Sequence, residues 1–93
     1  GSLSGTAVTN SGTLDITGSV YTNSLSNSGT LSISANGTGT VNGNLTNSGI
    51  FNITGTAAIK GGFLNNATGT VNLAGNLNAS MGATNSGTIN TSG

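Results

Sequence analysis

The chain has 93 residues, with 17 Gly, 13 Ser, 16 Thr and 15 Asn, and its only charged side chains are Asp15 and Lys60. That length allows one small domain, and the lack of His, Cys and Glu removes the groups that acid–base, nucleophilic or thiolate-metal chemistry requires. There is no basic patch, no aromatic platform beyond Tyr21, Phe51 and Phe63, and no run approaching the ~20 apolar residues of a membrane span, so nucleic-acid binding and bilayer crossing are both set aside.

Disordered chains usually carry high net charge and few β-branched residues, whereas this one is neutral and rich in Thr, Val and Ile, so an ordered β structure is expected. Neutrality also favours association between molecules. The chain opens at Gly1 without a basic-then-apolar leader.

The first predicted strand carries Leu3 and Val8 and runs to Asn10-Ser11-Gly12, which opens a second, Thr13-Leu14-Asp15-Ile16-Thr17. A second coil brings Val20 and Leu25 to Asn27-Ser28-Gly29 and then to Thr30-Leu31-Ser32-Ile33-Ser34. Asn36-Gly37 and Asn42-Gly43 are turn signals on either side of Val41, after which Leu45, Asn47-Ser48-Gly49 and Ile50-Phe51-Asn52-Ile53-Thr54 complete a third coil. The fourth has Ile59, the Lys60-Gly61-Gly62 turn, Leu64, Asn66-Ala67-Thr68-Gly69 with one extra residue, and Thr70-Val71-Asn72-Leu73. Leu77, Ala83, Asn85-Ser86-Gly87 and Thr88-Ile89-Asn90-Thr91 make the last.

The anchoring glycines, Gly12, Gly29, Gly49, Gly69 and Gly87, stand 17, 20, 20 and 18 residues apart. That interval suits one coil of a solenoid with small insertions in its turns and is too short for a helix-turn-helix repeat. Within each copy the apolar residues alternate with polar ones, the period of a strand. The expected fold is therefore all-β, a parallel β-solenoid of about five coils of 17–20 residues with little or no helix, residues 1–93 forming one repetitive unit.

Stacking like on like makes ladders. Inward columns are expected at Leu14/Leu31/Phe51/Val71/Ile89 with Ile16/Ile33/Ile53/Leu73/Thr91, at Val8/Leu25/Leu45/Leu64/Ala83, and at Leu3/Val20/Val41/Ile59/Leu77. Each coil thus contributes roughly four inward side chains to a rod ~24 Å long at the ~4.8 Å strand spacing. Asn10, Asn27, Asn47, Asn66 and Asn85 are expected to form an amide ladder, and the Asn and Gly of the turns to take the left-handed backbone conformation.

The pattern Gly43-Asn44-Leu45-Thr46-Asn47-Ser48-Gly49-Ile50-Phe51-Asn52-Ile53-Thr54-Gly55 resembles the ~20-residue repeats of filamentous-haemagglutinin-type adhesins and autotransporter passenger domains. The resemblance implies a right-handed parallel β-helix, secreted and displayed on a bacterial cell surface as an extracellular adhesive or biofilm-associated fibre. It departs from those repeats in carrying fewer charges, and it includes neither a secretion-signal domain nor a translocator.

Asp15, between inward Leu14 and Ile16, is expected on the solvated face, and Lys60 in a surface turn. Calcium-binding solenoids repeat an Asp in every coil, but the equivalents here are Ser32, Asn52, Asn72 and Asn90. Six Asn-x-Ser/Thr sequons, at Asn36, Asn44, Asn52, Asn66, Asn78 and Asn90, are close to the about five expected by chance and add almost nothing. No catalytic, cofactor or metal site is assigned. The reading is a non-enzymatic structural or adhesive solenoid whose partner is itself, by end-to-end stacking or neighbouring repeats, with host or surface glycans as further partners. One alternative is a small protomer that self-assembles end to end into a filament. Another is an ice- or glycan-binding face made by Thr13, Thr30, Ile50, Thr70 and Thr88, flanked by Thr17, Ser34, Thr54, Ala74 and Ser92.

Overall fold

A computed structural model describes residues 2–91, with side chains from residue 7 onward. Short strands follow one another around an axis: β1 (Ser2–Asn10) and β2 (Thr13–Ile16); β3 (Ser19–Asn27) and β4 (Thr30–Ile33); β5 (Thr38–Val41), β6 (Leu45–Asn47) and β7 (Ile50–Ile53); β8 (Thr56–Ile59), β9 (Phe63–Asn65) and β10 (Thr70–Leu73); β11 (Asn76–Ala79), β12 (Ala83–Asn85) and β13 (Thr88–Thr91). No helix occurs among the described residues. The chain is an all-β solenoid, its five stacked rungs winding through about four turns.

Every strand pairing is parallel. One sheet, β13-β10-β7-β4-β2, forms one face. The other runs β11-β8-β5-β3-β6-β9-β12 with β1 on β3; its long strand β3 pairs with β5 through Ser19–Thr22 and with β6 through Leu25–Asn27, so this sheet bends into two faces. A rung is thus a triangle. The described chain measures 29 × 26 × 25 Å, as broad as it is tall, so five rungs make a squat block where a rod was expected.

The register confirms the column Leu14/Leu31/Phe51/Val71/Ile89 and its neighbour Ile16/Ile33/Ile53/Leu73/Thr91. Leu31, Phe51 and Val71 are fully buried, and the Phe51 and Phe63 rings meet edge to face, 6.1 Å apart at 65°. At ~25 cal/mol per Å², burying side chains of this size stabilises the fold by roughly 1.5–3 kcal/mol each.

Two expected columns are corrected. The ladder containing Val8, Leu25, Leu45 and Ala83 takes Phe63 in its fourth rung, while Leu64 pairs with Thr46 and Thr84 on the outside. The amide ladder shifts with it, to Asn10, Asn27, Asn47, Asn65 and Asn85, leaving Asn66 in the turn. The turn of four residues, Asn66 to Gly69, has two more than Ser48-Gly49 where one extra had been expected, and a one-residue slip in a strand exchanges its two faces. The core takes the larger Phe63.

On the third face Val20 does not stack on Val41 and Ile59. It pairs in register with Gly39, Ala57 and Leu77, whereas Val41 and Ile59 belong with Thr22 and Ala79. Each rung therefore presents six inward positions, more than the four expected, one of them Asn. The small residues have a packing role: a Cβ on Gly39 would lie 3.1 Å from Cδ1 of Ile33, which occupies that space.

The glycines of the turns also differ from expectation. Among the described residues only Gly82 has a positive φ, 104°. Several other corner glycines allow close stacking: a Cβ on Gly29 would fall onto the carbonyl oxygen of Gly12, one on Gly49 onto that of Gly29, and one on Gly75 onto that of Gly55. Corner backbone also bonds from rung to rung, with Thr30, Ile50, Thr70 and Thr88 donating their N–H to Gly12, Gly29, Gly49 and Gly69 at 2.8, 2.9, 2.8 and 3.1 Å.

Candidate functional site

The most specific construction in the molecule is its internal amide ladder. Asn10, Asn27, Asn47 and Asn65 each donate from Nδ2 to Oδ1 of the Asn one rung on, at 2.8, 2.8, 2.9 and 2.8 Å. Their orientation is set by backbone chemistry. The Nδ2 of Asn47 also faces the carbonyl oxygens of Gly49 (3.1 Å) and Thr70 (3.2 Å), which only accept, so the atom facing them is the nitrogen. The same pattern holds at Asn27, toward Gly29 and Ile50, and at Asn65, toward Gly69 and Thr88.

Asn27, Asn47 and Asn65 are buried to 1% exposure or less, where an unpaired amide is strongly destabilising. Here every rung satisfies the next. Among the described residues no buried side-chain nitrogen or oxygen lacks a partner; Thr22, also buried, donates its hydroxyl to the carbonyl of Ser24 at 2.9 Å.

The outward face of the five-stranded sheet carries the expected column Thr13, Thr30, Ile50, Thr70 and Thr88 in register. Beside it, Asn90 donates to Asn72 at 3.0 Å, Asn72 to Asn52 at 2.7 Å, and Asn52 to the Ser32 hydroxyl at 3.4 Å. These amides use part of their hydrogen-bonding capacity on one another. Of the flanking positions, Thr17, Ser34, Thr54 and Ala74 lie at the strand ends, and Ser92 lies outside the described residues.

Asp15 is exposed, in register with Ser32, and Lys60 is exposed at the corner after β8, so the structure places the two charged residues on different rungs and faces. Among the described residues no group of three or more His, Cys, Asp or Glu could hold a metal.

A groove of about 490 Å³ runs along the outside of β6, β9 and β12, lined by Asn44, Thr46, Leu64, Met81 and Thr84. Met81 is 77% exposed and Leu64 37%. Sequence reasoning did not find this groove because it turned Leu64 inward; the Asn65-Asn66 pair was the signal that the alternation there had two readings.

Compared with known proteins, the chain matches no family model, no curated protein and no solved structure.

Proposed function

We propose that this chain is a non-enzymatic structural solenoid of an extracellular bacterial surface fibre, in which stacked rungs hold a stiff, chemically inert shaft and the outer faces meet the surroundings. The observation that carries this reading is the buried amide ladder. Five Asn side chains are used to lock each rung to the next, so the most specific polar groups among the described residues serve stacking, which supports a structural role.

The repeat pattern around Asn47-Ser48-Gly49 supports the surface location through its likeness to adhesin repeats. Neutrality and an outer face of Thr, Ser and Asn suit a hydrated shaft. Its partners in this reading are neighbouring rungs, with surface glycans on the outer faces.

The test is immunolabelling of the source cells with antibodies raised against the folded chain. Labelled fibres on intact cells are the expected outcome. Labelling only after lysis overturns the extracellular role.

A further inference from the structure

Asn is a chemically labile residue, most of all before Gly, where no side chain keeps the following backbone nitrogen from the Asn amide. Two of the 15 Asn residues stand before Gly, in Asn36-Gly37 and Asn42-Gly43. The ladder residues are protected. Asn27, Asn47 and Asn65 are buried with their amides bonded from rung to rung. The N–H that follows each is also taken, since Ser28, Ser48 and Asn66 donate to the carbonyls of Asn10, Asn27 and Asn47 at 2.9, 2.7 and 2.9 Å. The arrangement that stacks the rungs thereby shields these amides from attack by their own backbone.

The two Asn-Gly pairs differ. Asn42 donates from Nδ2 to the Tyr21 hydroxyl at 2.6 Å and to Asn23 Oδ1 at 3.5 Å, and the Gly43 N–H donates to the Asn23 carbonyl of the preceding rung at 2.6 Å. Asn36 is exposed, and its side chain makes no hydrogen bond among the described residues. The Gly37 N–H donates to the Ser34 carbonyl at 2.8 Å, a bond confined to the corner itself, so it can open without parting one rung from the next. On either side the backbone is fixed, with Ser34 and Thr38 donating to the Ile16 and Gly18 carbonyls at 2.9 and 2.8 Å. Glycine at position 37 is imposed by stacking, because a Cβ there would fall onto the Ile16 carbonyl. The fold thus requires the very neighbour that leaves the Asn36 amide unhindered.

We propose that Asn36 is a site of spontaneous deamidation, a slow self-modification carried out by its own backbone. The Gly37 nitrogen attacks Cγ of Asn36: the N–Cγ bond forms, the Cγ–Nδ2 bond breaks, and the Gly37 amide proton leaves with Nδ2 as ammonia. Water then opens the cyclic imide. Cleavage of its N–Cγ bond gives aspartate at position 36, while cleavage of its bond to the main-chain carbonyl carbon gives isoaspartate, in which the chain runs through Cβ and Cγ. In both products the water oxygen ends in the new carboxylate. That carboxylate is a negative charge on a chain whose formal net charge is zero. The extra backbone atom of isoaspartate falls at a corner that already holds two residues more than Thr17-Gly18 or Thr54-Gly55, between strands whose registers are fixed by their neighbours. The solenoid therefore acquires a mark of age at its surface while its interior is unaltered.

The experiment is incubation of the 93-residue chain at neutral pH in isotopically labelled water, with fragmentation mass spectrometry to locate each new carboxyl oxygen and an isoaspartyl-specific methyltransferase to mark isoaspartate. In the folded chain Asn36 is expected to convert about tenfold or more faster than Asn42, a barrier difference of about 1.4 kcal/mol or more. In urea, where local sequence alone sets the rate, the two Asn-Gly pairs should convert at similar rates. Asn36→Gln lengthens the side chain by one methylene and disfavours ring closure, so it should remove the main product and keep the wild-type circular dichroism. Folded chains that convert Asn42 or a ladder Asn as fast as Asn36 overturn the proposal, as do folded chains that hold Asn36 unconverted while unfolded chains convert it. A preference for Asn36 that is equally large in urea, or an Asn36→Gln chain that gains charge at the wild-type rate, overturns it as well.

Discussion

Asn47 and Asn65 join their side chains across 2.9 Å in the buried interior, Nδ2 to Oδ1, while Asn66, one residue along, donates from a half-buried turn to the Ser48 hydroxyl at 2.8 Å. Adjacent residues of one type thus have unequal roles. Asn65→Ala removes one of the acceptors of Asn47 and the side-chain donor to Asn85 and to the Gly69 and Thr88 carbonyls, and is expected to lower stability by about 2–3 kcal/mol, since an unsatisfied buried polar group costs roughly 1–3 kcal/mol. Asn66→Ala should cost about 1 kcal/mol or less. Urea denaturation of the two variants, below the concentration at which chains associate, gives the comparison.

Phe63 and Leu64 form a second adjacent pair. Phe63 is 1% exposed and packed on Phe51, and Leu64 lines the outer groove. Phe63→Ala is expected to cost about 3–5 kcal/mol by transfer and cavity terms together. Leu64→Ala should cost about 1 kcal/mol or less. Equal losses in thermal or urea unfolding would contradict the register.

Glycine position should matter more than glycine count. Gly49→Ala forces a methyl onto the Gly29 carbonyl, a backbone atom that moves only with its rung, and overpacking of this kind costs about 1–3 kcal/mol. Gly12→Ala has open space around it and no left-handed backbone, and is expected to stabilise the monomer by about 0.4–1 kcal/mol through the unfolded chain. Differential scanning calorimetry of both, in dilute solution, should show Tm moving in opposite directions.

A fold held by neutral amides and apolar ladders has little for salt to screen. With Asp15 and Lys60 as its only charged side chains, Tm is expected to change by a few degrees at most between low salt and 0.5 M sodium chloride. A large fall would mean that ion pairs carry stability in this chain.

Much of the fold was legible because the Asn-Ser-Gly phrase marks a corner and the alternation after it marks a strand, so Leu14, Leu31, Phe51, Val71 and Ile89 fell into one column from spacing alone. The fourth rung misled at a definite point. Asn65-Asn66 offers two ladder residues, and the turn that follows absorbs its insertion without marking which Asn belongs to the strand. Volume decided it, through Phe63, and volume has no periodicity. The Val20 column departs from expectation for the complementary reason: Gly39 and Ala57 are core residues there, Ile33 fills the space beside Gly39, and a small residue whose room is taken by a neighbour's side chain carries no apolar signal of its own. The direction of the amide ladder is not legible in the sequence for a simpler cause, since an amide's orientation depends on carbonyls 23 residues away, such as that of Thr70 above Asn47.

Among the described residues the two largest length differences between rungs sit at corners. Ser34-Ala35-Asn36-Gly37 takes the place that Thr17-Gly18 and Thr54-Gly55 fill in other rungs, and Asn66-Ala67-Thr68-Gly69 that of Ser48-Gly49, with pairing in register on both sides. Such a molecule can diversify its outline while its interior stays constant. Exposed Ala35-Asn36 and Ala67-Thr68 are therefore natural grafting points, at which foreign peptides can be displayed from a scaffold whose ladder does not register their presence.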